Sequence, residues 1–194
     1  VVLVNKVCMH IANEFDYIVI GGGSAGSVVA SRLSESVQDS VALFEAGGKG
    51  DSVIVRTPLA AVAMLPTKLN NYAFETVPQS GLNGRKGYQP RGRCLGGSSA
   101  INAMIYMRGQ ASDYARWAEL TGDSRWAWDA TLKTYKSLES YFAGANAWHG
   151  DQGEMRVEQP RVQWEILDAW RKAAQEQGIP AIEEFNRGDN EGCA

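Results

Sequence analysis

The sequence predicts an α/β fold that opens on a β–α–β unit, and three observations carry that expectation. A short apolar, β-branched run, Phe15-Asp16-Tyr17-Ile18-Val19-Ile20, flows into the loop Gly21-Gly22-Gly23-Ser24-Ala25-Gly26. Residues 27–35 follow with a helical pattern. A second apolar run, Val41 to Phe44, then ends on Glu45. Strand, glycine loop, helix, strand and acid, in that order, make a Rossmann-like unit suited to a dinucleotide.

Each part of the loop has a physical task. Gly21 permits the tight turn off the first strand. Gly23 lets backbone approach a pyrophosphate, whose charge would sit at the positive end of the following helix. Gly26, with Ala30 one turn on, lets that helix lie close against the sheet. Glu45 stands nineteen residues after Gly26, where a carboxylate can accept from the hydroxyls of an adenosine ribose. NAD and FAD share that adenosine half, so the unit alone leaves both open.

Composition narrows the class. At 194 residues, 44% hydrophobic and 21% charged, the chain suits one globular domain with a real core, or part of a larger one. A net charge of −3 gives no basic footprint for nucleic acid. Cys8, Cys94 and Cys193 are odd in number and widely spaced, which indicates neither a disulfide framework nor a zinc site. A reducing compartment is the simplest reading, with the cytoplasm as the expected location. No run reaches the length of a transmembrane helix. The chain begins with Val, and Met9 lies shortly before the first strand, so the expected start is Met9, with residues 1–8 extraneous or upstream.

Beyond Glu45 the elements follow in order. Ala46-Gly47-Gly48 is a turn, and Pro58 is expected to start a short helix that Pro66 stops. Tyr72 to Val77, a turn at Asn83-Gly84, and Tyr88-Gln89 predict a β-hairpin, an excursion from parallel winding. Arg91 to Ile105 holds a second cluster of glycines and small polar residues, Gly96-Gly97-Ser98-Ser99. There Gly96 and Gly97 permit close backbone approach, and the serines can cap a short helix. Asn102 offers both a donor and an acceptor. An ordinary capped loop fits these residues equally well, and Arg91 and Arg93 fit either phosphate partners or a solvated hairpin arm. The remainder reads as helical. Ser112 is expected to cap a helix with Tyr114, Trp117 and Leu120, ended by Gly122. Asp129 is expected to cap another, with Leu132, Tyr135, Leu138 and Phe142. Both aromatic stripes read as core. Met155 to Glu158 reads as a short strand, and Val162 to Gln177 as an amphipathic helix through Val162, Ile166, Trp170 and Ala173.

The second cluster, Gly92-Arg93-Cys94-Leu95-Gly96-Gly97-Ser98-Ser99-Ala100-Ile101-Asn102 followed by Tyr106 and Gly109, resembles the first signature of the glucose–methanol–choline (GMC) flavin oxidoreductases. With the Gly21 to Gly26 loop and Glu45 at the expected separation, the likeness runs from about Phe15 to the end, including Asn186 to Gly192. The motifs are similar to those of the bacterial alcohol, choline and polyethylene glycol dehydrogenase branch. The resemblance implies FAD. Gly21, Gly23, Ser24, Ala25 and Gly26 would cradle the pyrophosphate, with Glu45 and Ala46 at the ribose. Arg93, Cys94, Gly96, Gly97 and Ser98 would pass along the cofactor, and Asn102, Ala103, Met104 and Ile105 would lie near the flavin. Some members tether FAD through a histidine in this signature. Ile101 holds that place here, with Ala100 beside it, so noncovalent binding is implied.

The resemblance also implies the reaction, oxidation of a small-molecule alcohol to an aldehyde or ketone by hydride transfer to flavin N5, with oxygen, a quinone or a dye as acceptor. A quinone acceptor would allow membrane-peripheral association. The family's base is a histidine near the end of a longer chain, so no catalytic residue is expected before residue 194. His149, in a Trp-His-Gly loop, is expected to have a structural or rim role. The implied division is a leader over 1–14, expected to be disordered, an FAD-binding portion over 15–160, and the truncated start of an α+β substrate domain over 161–194. No turnover and weak or absent FAD retention are expected of these residues alone. The competing expectations are a noncatalytic FAD-binding module and an NAD-binding dehydrogenase.

Overall fold

The computed structural model describes residues 2–3, 14–161 and 163–194. They form two compact units, Val1–Ile105 and Tyr106–Ala194. In the first, β1 (Val2–Leu3) pairs antiparallel with β3 (Val41–Phe44), and β2 (Tyr17–Ile20) pairs with β3 in parallel, Tyr17 opposite Val41 and Ile20 opposite Phe44. Two parallel neighbours need a crossover, and α1 (Ser24–Leu33) supplies it. Ala30, Val41 and Leu43 are buried together, with Val19, Leu33 and Leu95 packed against them. Of the expected leader, Val2–Leu3 is thus a short strand. Residues 4–13, with the expected start at Met9, lie outside the described residues.

Two single-turn helices follow, α2 (Val53–Arg56), capped by the Ser52 hydroxyl, and α3 (Ala61–Met64), which Pro58 introduces. The hairpin lies where the sequence places it: β4 (Phe74–Glu75) is antiparallel to β5 (Tyr88–Gln89), and its tip turns through Asn83 and Gly84, both at positive φ.

In the second unit α4 (Ala111–Thr121) starts at Gln110, not at Ser112. The Asp113 carboxylate reaches back to accept from the Gln110 N–H at 2.8 Å, which satisfies an orphan donor that Ser112, already inside the helix, cannot reach. Gly122 ends α4 in the left-handed region at φ 67°. Asp123 caps a short 3₁₀ turn over 124–126, and α5 (Trp128–Leu138) begins after Ala127, with Asp129 in its first turn, where a carboxylate favours the helix dipole without capping. Then β6 (Glu139–Tyr141) and β7 (Met155–Val157) pair in parallel. The second unit runs from Tyr106 to Ala194, and within it the Asn186 side chain accepts from the Arg108 N–H while the Asn190 side chain donates to the Arg108 carbonyl.

Neither aromatic stripe is wholly core. Tyr114 is buried, but Trp117 and Leu120 are exposed, and Trp117 with Trp126, Tyr135 and Leu138 lines an open cleft of about 540 Å³. The amphipathic helix is α6 (Glu165–Glu176). Val162 lies outside the described residues, Ile166 and Trp170 are exposed, and only Ala174 of the helix is buried. Among the described residues no helix is long and apolar enough to cross a membrane.

Candidate functional site

Two stretches some seventy residues apart in sequence meet in the first unit. The Gly96 N–H donates to the Gly22 carbonyl at 2.7 Å, and the Leu95 N–H donates to Gly48 at 2.9 Å. Leu95 also enters the core under α1, so the second cluster is anchored by apolar burial as well as by backbone bonds. At the crossing the backbones touch: a Cβ on Gly97 would lie 2.7 Å from the Gly23 Cα. A Cβ on Gly26 would lie 1.9 Å from the Gly21 carbonyl oxygen, which is why the helix can start so close to the strand it leaves. Gly23 is therefore constrained by its neighbour loop as well as by any ligand.

The N-terminus of α1 carries no side-chain cap and no acid in its first turn. Its orphan N–H groups and dipole are left to an anion from outside the helix. Glu45 is held in place by backbone donors: one carboxylate oxygen accepts from Gly22 N–H and the other from Gly47 N–H, each at 2.8 Å. A carboxylate has about four acceptor positions, so acceptor capacity remains for hydroxyls. Cys94 is fully buried, and burial pushes its thiol up, with the Glu45 carboxylate adding to the shift.

These residues fit a diphosphate-linked cofactor. The structure brings Gly21, Gly23, Ser24, Ala25, Gly26, Glu45 and Ala46 together with Cys94, Gly96 and Gly97. The Arg93 guanidinium lies over the Tyr72 ring, 5.6 Å from its centroid. Neither serine caps the short helix over Gly97–Ala100. Ser98 Oγ accepts from Gly92 N–H at 3.1 Å, and Ser99 Oγ donates to the Gly96 carbonyl, because Gly96 itself, at φ 91°, turns the chain into that helix. Ile101 is buried, while Asn102, Ala103, Met104 and Ile105 are exposed at the end of the unit.

Sequence reasoning missed the most enclosed polar cluster of the second unit. Arg108 and Glu139 form an ion pair at 2.6 Å with both side chains fully buried. Arg108 also donates to the Trp148 carbonyl at 2.7 Å and lies over the Tyr135 ring. His149, equally buried, has Nδ1 3.1 Å from Glu139 and Nε2 2.9 Å from Glu184, and its ring stacks on Tyr141. Both ring nitrogens face carboxylates, so neither is free to take a proton from a substrate. These contacts tie His149 into the packing of the second unit. The available signal was Trp-His-Gly itself, but its partners lie 10 and 35 residues away.

Glu184 gives this cluster a pH dependence. Burial pushes its carboxyl up, but hydrogen bonds from Arg187 and His149 outweigh that and hold it below its ordinary 4.5. A depressed folded-state value means stabilisation that is complete above the unfolded value and lost as pH falls through the folded one. Melting temperature is therefore expected to drop on acidification below about 4.5, and Glu184→Gln is expected to flatten that slope. Equal slopes in both proteins would contradict the assignment.

The family model described as GMC oxidoreductase matches residues 15–194. The oxygen-dependent choline dehydrogenase 1 of Chromohalobacter salexigens is 41% identical over 184 residues, covering 93% of this chain and 33% of the relative. The oxygen-dependent choline dehydrogenase of Rhizobium johnstonii is 37% identical over 179 residues, with 92% and 32% covered. The crystal structure of pyridoxine 4-oxidase from Mesorbium loti superposes with a TM-score of 0.86 at 35% identity, covering 92% of this chain and 35% of that one. The chain thus spans about a third of the length of these relatives.

Proposed function

Because the chain belongs to the GMC oxidoreductase family, we propose that it is the FAD-holding part of an enzyme that oxidises a small-molecule alcohol to an aldehyde or ketone. The observation that carries this reading is the meeting of the two glycine clusters at Gly23 and Gly97. A nicotinamide-binding loop needs only the first, whereas a Rossmann-like FAD site of this family uses both. FAD, when bound, would supply the acceptor for the hydride that leaves the carbinol carbon.

The chain's own residues bind and orient. The uncapped start of α1 and the Gly21–Gly26 loop would hold the diphosphate. Glu45, fixed by two backbone donors, would accept from the ribose. Arg93, Cys94, Gly96, Gly97 and Ser98 would lie along the cofactor, and Asn102, Ala103, Met104 and Ile105 would flank the flavin end. With Ile101 where some family members carry the tethering histidine, the cofactor would be held noncovalently. His149 is enclosed between Glu139 and Glu184 and is not assigned as the base that takes the alcohol's proton, and the described residues alone are expected to give no turnover.

Titration of the purified protein with FAD and with NAD, followed by flavin fluorescence and by protein fluorescence, tests the reading. Binding of FAD at least about tenfold tighter than NAD is expected, since only FAD engages both clusters, a difference of about 1.4 kcal/mol. Tighter NAD binding would sink it.

A further inference from the structure

Among the described residues, four that are not glycine have positive φ: Asn70, Ala73, Asn83 and Met104. Asparagine tolerates the left-handed region; alanine and methionine enter it only under constraint. Ala73 at 53° and Met104 at 61° share one arrangement. Each stands two residues after an asparagine whose side-chain oxygen accepts its N–H, Asn71 to Ala73 at 3.0 Å and Asn102 to Met104 at 2.9 Å.

The two turns differ in what else holds them. Asn71 is 2% exposed, and its amide group donates to the Leu65 and Thr67 carbonyls at 3.0 and 2.9 Å, while its oxygen also accepts from Arg91 N–H. That turn is a pin at the base of the hairpin, and it sets Tyr72 and Phe74 stacked, their rings 4.9 Å apart. Asn102 is exposed, and among the described residues its side-chain oxygen has one hydrogen bond, accepted from the Met104 N–H. The turn displays two apolar side chains, Met104 at 65% and Ile105 at 79% exposure. A strained backbone that buries nothing is an outlier that asks for a function.

We infer that Asn102 is a positioning residue, whose side-chain oxygen locks Met104 in the left-handed conformation and so fixes how the Ala103–Ile105 segment is presented to the cofactor. It acts through the turn and not as a ligand with its own amide. This inference rests on the FAD reading above.

The test compares wild type with Asn102→Ala, Asn102→Asp, Met104→Gly and Asn102→Ala/Met104→Gly, first in melting without FAD and then in FAD affinity. Aspartate keeps the accepting oxygen and glycine removes the strain. Without FAD, Asn102→Ala is expected to melt about 2–4 °C lower, with Asn102→Asp at the wild-type value. FAD affinity is expected to fall about tenfold in Asn102→Ala and to recover most of that loss in the double variant. A double variant as weak as Asn102→Ala would overturn the inference, because it would place the amide itself on the cofactor. If wild type takes up too little FAD to titrate, the melting comparison decides the turn alone. There, Asn102→Asp falling together with Asn102→Ala would overturn it.

Discussion

Glu139→Ala is expected to destabilise the second unit by about 3–5 kcal/mol, a large share of the about 5–15 kcal/mol that a domain holds in total. Coulomb attraction between Arg108 and Glu139 is not the main reason. Removing the carboxylate leaves a fully buried guanidinium, the Nδ1 of a fully buried imidazole and the Gly150 N–H without their acceptor. An orphaned buried charge costs more than a paired one gains. For the same reason Arg108→Met/Glu139→Leu is expected to cost less than the two single changes added together, because the double variant strands no charge on that pair. Urea unfolding of wild type, Glu139→Ala, Arg108→Met, Glu139→Leu and the double variant measures this. Additive effects, or a Glu139→Ala cost below about 1 kcal/mol, the range of an exposed pair, would show that the cluster is solvated.

The second large effect is at Gly97. An alanine there must accept φ +54° and place its Cβ 2.7 Å from the Gly23 Cα, a backbone atom that cannot swing aside. Left-handed strain and overpacking together are expected to cost about 2–4 kcal/mol. The loops must separate at the point where both would face the diphosphate, so FAD affinity is expected to fall about a hundredfold. Gly81→Ala is the control, because a Cβ at Gly81 meets nothing within 4 Å and its φ is unremarkable. Equal affinities for the two variants would mean that the Gly23–Gly97 contact does not shape the binding site.

How much of this was legible depends on the range of the forces. The β–α–β unit, the hairpin, the Gly122 stop and the Gly21 turn were readable because each is fixed by neighbours within a few residues. The second cluster was readable as a motif, but its contact with Gly23 was not, since nothing local says where Leu95 inserts. Capping at Gln110 was hidden by the more conventional Ser112 one residue inside the helix. The Arg108–Glu139–His149 cluster was out of reach altogether: charged residues are usually exposed, and only a tertiary fold brings residues 108, 139, 149 and 184 together. The face of α6 shows the converse case, a periodic apolar pattern that promised burial and is instead exposed.

That the two glycine clusters form one FAD cradle is tested most directly by hydrogen–deuterium exchange of the protein with and without FAD. Simultaneous protection of the peptides covering Gly21–Gly26 and Cys94–Ser98, with little change across α4 and α5, is the expected result. Protection confined to Gly21–Gly26, or protection in neither segment at saturating FAD, would contradict it.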